Sequence, residues 1–504
     1  MRRPSRRLTG AGSALCGGVL VGLSLPPVGF WPLGVVGLGL VISSFSQGWR
    51  GRLLAGFAAG LGQFSIGLAW AIQFNDAGYV ALVILESLML ALAALLVPPG
   101  GPLALPAGAA LLAIFEWVRD SWPFGGLPLG SAALGEVGGP FQFVARLGGP
   151  ILVIFAAALA GAGAVRLAAL ALRRRPEAGQ QALACLLAGA ALAAAGGVAV
   201  PAVPAGAKRL SFAIVQGGGR RGLNALQVPA SKVFSAAVAE TRRVRGRPSL
   251  ILWPEDVVGL GPEPFRGSQA EAVMAAIARR HHATLVAGVT YDVGRTRFRN
   301  EVVALSPAGR LVAVFEKVHR VPFGEYVPLR GLFKHLANLS AVPRDAIPGH
   351  GSGLMTTPAG RFAVLVSYEV FFAGRGRSGV RAGGRVILVP TNTSSYSNDQ
   401  APAEEIAASR LQALEEDRYL LQAAPTGYSA IVSPSGVVSR ESRLSRPDLI
   451  EASVPMLRAT TPYADLGEAP TLAGAGLVAA LGWLLARGRA RGGLVAPGGE
   501  ATPA

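Results

Sequence analysis

Four apolar stretches in the second half of the chain each end in a side chain that can do chemistry. The runs "LILWPE", "VAVFEK", "AVLVS" and "VILVPTN" end in Glu255, Lys317, Ser367 and Asn392. If these runs are strands of an α/β fold, their carboxyl ends lie at the edge where such folds bind ligands. A carboxylate, an ammonium and a hydroxyl that meet there can act as base, electrostatic stabiliser and nucleophile. Strands also end in charged residues simply because they reach the surface, so spacing alone leaves a structural role open for each residue.

The region around these residues has the sequence pattern of an α/β domain, in which strands alternate with helices. From residue 208, β-rich runs such as "RLSFAIVQ" and "ATLVAGVTYD" alternate with helical runs such as "ASKVFSAAVAETRRVR". The strands are continuous apolar runs, which is typical of a sheet covered on both faces. We therefore predict an α/β domain over residues 205–468, with the reactive side chains at strand ends.

The rest of the chain has the composition of a membrane protein. Of the 504 residues, 51% are hydrophobic and 15% are charged, and the mean hydropathy is +0.44. A helix that crosses a bilayer needs about 20 residues. Eight apolar stretches approach that length: 12–29, 31–46, 53–74, 79–97, 103–117, 148–172, 181–200 and 471–486. We predict a helical membrane domain of about seven spans over 1–204, a transmembrane helix over 469–488 and a disordered cytoplasmic tail over 489–504.

Arginine clusters give these spans an orientation, because cytoplasmic ends of membrane helices are rich in Lys and Arg. The clusters are Arg2, Arg3, Arg6 and Arg7; Arg50 and Arg52; Arg173, Arg174 and Arg175; and Arg487, Arg489 and Arg491. With eight spans and a cytoplasmic N-terminus, every cluster is cytoplasmic and the α/β domain lies outside. The net charge of +18 is thus a topology signal rather than a sign of nucleic-acid binding.

The connection at 118–147 is rich in Gly, Pro and aromatic residues. Trp122, Phe124, Phe141 and Phe143 suit a segment that dips into the lipid headgroup region, and a re-entrant connector is the alternative.

Cysteine and histidine usage excludes two common kinds of site. The two cysteines, Cys16 and Cys185, lie in apolar spans, so neither a disulfide framework nor a cysteine-based zinc site is expected. The five histidines show no zinc-ligand spacing. We predict neither a metal nor an organic cofactor.

Motifs in both halves of the chain resemble one known family. "AIVQGG", "ILWPE", "FEKVHRVPFGEYVP", "VSYE" and "VPTN", in this order, resemble the nitrilase-like (carbon–nitrogen hydrolase) domain, and "KVHRVPFGEYVPL" is specific to its membrane branch. In the first half, "LSLPPVGFWPLG", "GFAAGLGQFSIGLAW" and "FEWVRDSWPFGGLPLGSAA" resemble spans of the apolipoprotein N-acyltransferase family. The resemblance covers residues 12–486. It implies a polytopic helical membrane domain joined to an αββα sandwich.

The resemblance also implies an activity and a location. Members of the family transfer an acyl chain from a phospholipid to the N-terminal amine of an apolipoprotein's diacylglyceryl-cysteine, through an acyl-enzyme in a ping-pong mechanism. This transfer is the last step of bacterial lipoprotein maturation. The implied ligands are the phospholipid donor and the diacylated apolipoprotein acceptor. The family sits in the bacterial inner membrane with a periplasmic catalytic domain, which agrees with the orientation given by the arginines.

The resemblance assigns roles by motif. Glu255 in "WPE" corresponds to the general base, and Lys317 in "FEKVH" corresponds to the oxyanion-stabilising lysine. Glu325 in "PFGEY" corresponds to a further glutamate that the family needs. Tyr368 and Glu369 correspond to the two residues that follow the nucleophile, and they are expected to support substrate binding, as is Asn392.

The chain departs from the family at the nucleophile, where "C-Y-E" is replaced by Ser367, and residues 205–468 contain no cysteine. A thiol of pKa ~8.5 lies about four units, or about 6 kcal/mol, above a carboxylate of pKa ~4.3. A hydroxyl nearer water's ~15.7 makes proton transfer many kcal/mol harder. Two further departures are "NTSSYSNDQ" after Asn392, where the family has Asp and aromatics, and "GGGRRGLNALQVP", which lacks the family's early Trp.

Several interpretations stay open at this point. Ser367 is a nucleophile of a retuned acyltransferase, a mark of a catalytically impaired relative that binds lipid or lipoprotein, or an engineered replacement. His319 follows Lys317 by two residues and can share its face of an extended segment. A membrane-bound amidase of the same fold is a further alternative, although a soluble substrate needs no spans. A transporter is disfavoured because Glu86 and Glu116 stand out among few ionisable residues in the spans, and we expect Glu86 to pair with a neighbouring helix.

Overall fold

The computed structural model describes residues 6–45, 48–173, 179–199, 204, 206–335, 339–340 and 342–492. Helices account for most of the described residues before 200. A bilayer offers no partners to backbone groups, so apolar segments of this kind satisfy them within a helix. The helices are α1 (Arg6–Ser24), α2 (Trp31–Ser44), α3 (Trp49–Gly67), α4 (Asp76–Leu95), α5 (Ala104–Arg119), α6 (Ala132–Gly135), α7 (Ala145–Leu172) and α8 (Gln180–Val198).

Helices occupy all eight predicted apolar stretches within the described residues, the last being α15 (Ala469–Gly492). Four described segments are long and apolar enough to cross a membrane: Asp76–Leu95, Pro140–Leu172, Gln180–Val198 and Ala469–Arg487. The count of eight spans therefore stays a prediction. Arg2, Arg3, Arg174, Arg175 and the tail from 493 onward lie outside the described residues.

The second half forms the predicted α/β domain. Its strands are β1 (Arg209–Gln216), β2 (Leu250–Leu252), β3 (Val258–Gly259), β4 (Thr284–Val293), β5 (Arg297–Leu305), β6 (Leu311–Glu316), β7 (Asp345–Ala346), β8 (Leu354–Thr357), β9 (Gly360–Val364), β10 (Val386–Pro390), β11 (Leu420–Ala423), β12 (Ala430–Val432), β13 (Val438–Glu441) and β14 (Asp448–Pro455). Its helices are α9 (Ala230–Thr241), α10 (Gln269–His281), α11 (Arg330–Phe333), α12 (Ala373–Arg381), α13 (Gln400–Glu416) and α14 (Pro462–Leu466).

Local sequence explains several of these boundaries. α10 begins at the N-cap residue Ser268, whose hydroxyl accepts from the Glu271 N–H, and the Glu271 carboxylate accepts from the N–H of the preceding Gly267. It ends at His281, and the next residue, His282, has the left-handed conformation that commonly terminates a helix.

Two sheets pack face to face in the α/β domain. The first sheet has the order β14-β1-β2-β4-β5-β6, with β3 and β7 attached, and the second has the order β13-β12-β11-β10-β9-β8. Phe212 and Leu252 of the first sheet and Val364 and Leu388 of the second share one buried cluster between the sheets. α9 and α10 contribute to the core on the outer face of the first sheet. With α12 and α13 on the second, this is the predicted αββα sandwich.

The outer face of the second sheet shares its core with the helical domain. One continuous cluster of buried residues contains Ala363 and Ile387 of that sheet, Leu411 and Leu414 of α13, and Leu134 of the helical domain. The helical bundle therefore covers α13 and, through it, the sheet that carries Ser367.

The connection at 118–147 divides into two parts. Trp122 is 60% exposed and Phe124 is 38% exposed, so the first part presents aromatic surface. Phe141 is only 6% exposed and belongs to the core. The prediction of headgroup contact is therefore wrong for Phe141, because its ring is needed to fill the bundle.

Candidate active site

Three of the predicted site residues meet in one buried ion-pair cluster. Lys317 Nζ lies 2.9 Å from Glu255 Oε1 and 2.7 Å from Glu325 Oε1. Glu255 follows β2 and Lys317 follows β6, so strands of the first sheet deliver both side chains. The side chains of Lys317 and Glu255 are only 2% and 4% exposed. Pairing compensates the cost of burying these charges and fixes the ammonium between two carboxylates.

A close backbone approach holds Glu255 in place. The turn after β2 runs directly over β4, where the Gly288 N–H donates to the Pro254 carbonyl at 2.9 Å. A Cβ on Gly288 would lie 2.4 Å from the Glu255 Cα, so a side chain at this position would displace the turn.

Asn300 joins this cluster and was missed by sequence reasoning. Its Nδ2 donates to Glu255 Oε1 at 2.8 Å and to Glu325 Oε1 at 3.0 Å. Asn300 lies on β5, and its carbonyl accepts from the Lys317 N–H at 2.9 Å. The available signal was an Asn inside the strand run "FRNEVVALS", since Asn is depleted in strands unless it has a specific partner.

Burial sets the protonation behaviour of the cluster. Burial raises the pKa of Glu255 to about 7, while the Lys317 charge and the Asn300 hydrogen bond limit the rise. Burial also acts to lower the pKa of Lys317, but the charges of Glu255 and Glu325 outweigh it and hold that pKa above its ordinary value. Near neutral pH the cluster thus combines a permanent cation with a carboxylate that can take or give a proton.

The predicted nucleophile lies on a strained turn. Ser367 has φ +49° and begins a 3₁₀ turn after the buried strand β9. A positive φ is uncommon for a residue other than glycine, and it persists where surrounding contacts enforce it. The geometry resembles that of a nucleophile elbow, in which a sharp turn after a strand presents the side chain at the edge of the sheet.

Glu369 ties this turn to the strand end that carries Lys317. Its Oε2 accepts from the Val366 N–H at 2.9 Å, and its Oε1 accepts from the N–H groups of Val318 and His319 at 2.8 and 3.1 Å. Val366 precedes Ser367 and Val318 follows Lys317, so one carboxylate joins the two sheets at the site. The side chain is fully buried, and burial raises the pKa of Glu369 although Arg375 and these N–H donors oppose the rise.

The Ser367 hydroxyl makes no hydrogen bond with the described part of the chain. The backbone brings it beside the Lys317 segment, and neither Glu255 nor Lys317 makes a hydrogen bond to it. Both hydrogen bonds to Glu255 end on Oε1. Glu255 Oε2 and the Ser367 hydroxyl are therefore among the groups that a reacting ligand can contact.

Tyr368 and Tyr326 connect the site to the helical domain. The Tyr368 hydroxyl donates to the Gly126 carbonyl at 2.8 Å, and the Tyr326 hydroxyl donates to the Phe124 carbonyl at 2.7 Å. One tyrosine neighbours Ser367 and the other neighbours Glu325. The connection after α5 thus forms one wall of the site.

Asn392 contacts the turn that carries Glu255 rather than the ion-pair cluster. Its Nδ2 donates to Asp256 Oδ2 at 3.3 Å, and its Oδ1 accepts from the Ser394 N–H at 3.0 Å. Asp256 has φ +57°, and burial raises the pKa of its carboxyl. Sequence reasoning missed Asp256, although it follows Glu255 directly.

His319 does not act on Ser367. Its ring stacks on Phe372 at a centroid distance of 4.2 Å, and its N–H groups make no hydrogen bond to Ser367 or Lys317. Burial, assisted by the charge of Arg375, lowers the pKa of His319 to about 4, so the ring is neutral at physiological pH. Within the described ranges, no group of three or more His, Cys, Asp or Glu could hold a metal ion.

Apolar side chains surround the site on the side of the helical domain. Tyr396, from the segment "NTSSYSNDQ", packs against Trp70 and Phe74 of the connection between α3 and α4. Phe124 meets Phe323, two residues before Glu325. Phe74, Phe124 and Phe323 are all exposed, so a ligand that reaches the cluster passes apolar surface.

Comparison with known proteins identifies relatives of both halves. Residues 17–163 match the profile described as apolipoprotein N-acyltransferase N-terminal domain, and residues 230–461 match the carbon–nitrogen hydrolase profile. An apolipoprotein N-acyltransferase of Mycolicibacterium smegmatis is 30% identical over 490 residues, which cover 90% of this chain and 81% of the relative. An apolipoprotein N-acyltransferase of Azotobacter vinelandii is 30% identical over 515 residues, which cover 97% of each chain. A solved amidase from Nesterenkonia sp. is 19% identical, with a TM-score of 0.39 over 54% of this chain and 98% of the amidase.

Proposed function

The chain belongs to the apolipoprotein N-acyltransferase family, and on that premise we propose that Ser367 carries an acyl chain from a phospholipid to the N-terminal amine of a diacylglyceryl-cysteine. As a family member the chain is an acyltransferase of lipoprotein maturation and a protein of the bacterial inner membrane. The observation that carries the proposal is the Glu369 carboxylate, which holds the Ser367 turn against the segment that presents Lys317.

In the first half-reaction, Ser367 Oγ attacks the acyl ester carbonyl of the phospholipid while Glu255 Oε2 takes the hydroxyl proton. The ammonium of Lys317 stabilises the oxyanion. Two of its three N–H groups are held by Glu255 and Glu325, which leaves the third for the developing charge. The tetrahedral intermediate then expels the lysophospholipid oxygen, which takes the proton back from Glu255. One oxygen ester is broken and another is formed, so the bond type is conserved.

In the second half-reaction, the neutral N-terminal amine of the acceptor attacks the acyl-Ser367 ester. Glu255 takes a proton from the attacking nitrogen, and Lys317 again stabilises the oxyanion. Collapse of the intermediate forms the amide, and Ser367 leaves as an alkoxide that receives the proton from Glu255. Because the amide is more stable than the ester, its formation makes the overall reaction favourable.

The raised pKa of Glu255 reduces the energetic cost of using serine. A rise of the Glu255 pKa from its ordinary 4.5 to about 7 makes the carboxylate a stronger base by about 3 kcal/mol. A hydroxyl near ~15.7 then lies about 9 units, or about 12 kcal/mol, above the base. Full ionisation is therefore out of reach, and the proton must move in concert with the attack, with Lys317 stabilising the charge that forms.

The remaining residues support this chemistry. Glu325 holds Lys317, Glu369 and Tyr368 position the Ser367 turn, and Asn392 positions the Glu255 turn through Asp256. The exposed aromatic surface beside the site, formed by Phe74, Phe124 and Phe323, suits the acyl chains of the donor and of the diacylated acceptor.

The proposal includes a layout in the membrane. Residues 1–204 form the helical membrane domain of about seven spans, 205–468 the periplasmic catalytic domain, 469–488 the last span and 489–504 a cytoplasmic tail. The apolar helices and the arginine clusters support it. A membrane-impermeant thiol reagent added from outside should label Arg247→Cys and spare Arg50→Cys until the membrane is opened.

The activity is tested with the full-length protein in phospholipid vesicles. Wild type should gain the mass of one acyl chain on the peptide that contains Ser367 and lose it when a diacylglyceryl peptide is added and becomes N-acylated. Ser367→Ala should do neither. If wild type is as inert as Ser367→Ala while Ser367→Cys is active, Ser367 is not a working nucleophile and the chain is a binding relative. Hydrolysis of small amides without acyl transfer would favour the amidase alternative.

A further inference from the structure

A buried ion-pair cluster lies in the helical domain, away from the reacting groups. Arg119 Nε lies 3.1 Å from Glu86 Oε2, and Arg119 Nη1 lies 3.1 Å from Glu116 Oε2. All three side chains are buried. The expected pairing of Glu86 with a neighbouring helix is thus observed, and Arg119 on α5 is its partner. Buried ion pairs contribute little net stability compared with well-packed apolar groups, which raises the question of what this cluster positions.

Arg119 closes both ends of the connection that follows α5. Its Nη2 donates to the Leu129 carbonyl at 2.7 Å, and its own carbonyl accepts from the Leu127 N–H at 2.9 Å. Gln63, which also donates to Glu116, donates to the neighbouring Gly130 carbonyl at 3.2 Å. We call residues 120–130 the wall segment. Asp120, the first residue of this segment, lies 3.7 Å from Arg119 Nη1 through its Oδ1. The path of the wall segment is therefore set by Arg119 and its carboxylate partners Glu86, Glu116 and Asp120.

The wall segment receives the two tyrosine hydroxyls of the site. Gly126 accepts from Tyr368, and Phe124 accepts from Tyr326. The segment is tightly folded at this point, because a Cβ on Gly126 (φ +93°) would lie 2.0 Å from the Asp120 carbonyl. A change at Arg119 therefore moves the Gly126 carbonyl rather than being absorbed by a slack loop.

We propose that Arg119 is a positioning residue for acyl transfer, which acts through the Gly126 carbonyl and the Tyr368 hydroxyl on the turn that bears Ser367. This inference rests on the proposed role of Ser367. The alternative is that the cluster only stabilises the helical bundle, in which case Arg119 and Tyr368 contribute independently.

A double-mutant cycle in the full-length protein separates these cases. Arg119→Gln and Tyr368→Phe should each lower kcat about tenfold or more, with KM for the donor phospholipid changed less than about threefold. The double variant should be no slower than the slower single variant, because both changes break the same path. Losses in kcat that multiply in the double variant, or a change confined to KM, would overturn the proposal.

Two further variants test whether a loss of activity comes from a destabilised helical bundle rather than from the positioning of Ser367. Glu86→Gln keeps a hydrogen-bond acceptor for Arg119 while removing one charge, so it should lower kcat less than Arg119→Gln and follow the same cycle with Tyr368→Phe. Glu136→Gln is the matched control, since Glu136 is a buried carboxylate shortly after the wall segment whose oxygens have no hydrogen-bond partner within the described part of the chain. It should leave kcat unchanged. An equal loss in Glu136→Gln would mean that any buried carboxylate here acts through bundle stability.

A second readout does not depend on acyl transfer. In the Ser367→Cys background, alkylation by iodoacetamide is followed by the mass of the peptide that contains residue 367, which excludes Cys16 and Cys185. Adding Arg119→Gln should change the alkylation rate at least threefold, and adding Glu136→Gln should not. If this holds while wild type transfers no acyl chain, the proposed function fails and the positioning role stands. If alkylation is unchanged, the positioning role fails.

Discussion

Replacing Glu369 by glutamine tests whether the nucleophile turn depends on one carboxylate. The carboxylate accepts three backbone N–H groups, two on Oε1 from Val318 and His319 and one on Oε2 from Val366. Glutamine has one oxygen and one NH₂ group. If the oxygen keeps Val318 and His319, the NH₂ group faces the Val366 N–H, and a donor meets a donor. Glu369→Gln therefore destabilises chiefly the backbone at Val366, the residue that precedes Ser367.

The size of the effect follows from the number of bonds lost. A hydrogen bond to a charged acceptor is worth about 1.5–3 kcal/mol. The loss of one such bond, weakening of the other two and the donor–donor contact sum to about 2–4 kcal/mol. If this cost appears in the transition state for acylation, kcat falls roughly 30- to 1,000-fold.

The assay measures the rate at which the peptide containing Ser367 gains an acyl chain from phospholipid vesicles in a single turnover. The matched control is Glu451→Gln, because Glu451 on β14 also accepts from backbone N–H groups, those of Arg245 and Gly246, in the same domain. This variant should acylate at the wild-type rate. If Glu369→Gln acylates within about threefold of wild type while Ser367→Ala is inert, the turn is held by other contacts and the reasoning is refuted.

Three further changes probe the ion-pair cluster and the nucleophile. Because Glu255 must be deprotonated to act as base and burial raises its pKa to about 7, activity should rise with pH through that value. Asn300→Leu removes a hydrogen bond that lowers this pKa, so the acidic limb should move up by ~1 pH unit; an unmoved limb in a pH–rate profile would assign it to another group. Lys317→Met leaves the buried Glu255 and the partly buried Glu325 without their cation, so it should abolish single-turnover acylation and lower the free energy of unfolding by about 3 kcal/mol or more. Retained activity would remove the oxyanion role. Ser367→Cys brings the nucleophile's pKa to ~8.5, so rapid-quench measurements should show acyl-enzyme forming at least tenfold faster, and slower formation would show that the turn is shaped for a hydroxyl.

The groups that the sequence revealed stand at the ends of strands. Glu255 and Lys317 each follow an apolar run, and such a run predicts both the strand and the place where its last side chain emerges. Motif resemblance added Glu325, which lies on an irregular segment that no periodicity marks. The structure brings these three together because β2 and β6 belong to one sheet.

The groups that the sequence did not reveal depend on contacts between distant segments. Asn300 lies inside β5, and its side chain donates to Glu255 and Glu325. A search for polar residues at strand ends therefore does not find it. Glu369 was predicted as a supporting residue, but its three N–H donors come from both sheets, and sheet packing cannot be read from one sequence. His319 shows the opposite error, because closeness to Lys317 in sequence does not tell that the ring turns onto Phe372.

The buried cluster that runs from the helical bundle through α13 into the second sheet bears on how the molecule is made. Residues Leu411 and Leu414 of α13 are buried in that cluster together with bundle residues such as Leu134. During synthesis the catalytic half emerges after the first eight helices but before α15, so it matures against a bundle that still lacks its last member. A fragment that starts at residue 205 would present this apolar face to water, which binding of a hydrophobic dye would report. The catalytic half and the helical bundle therefore complete one shared core, and neither half buries its apolar face without the other.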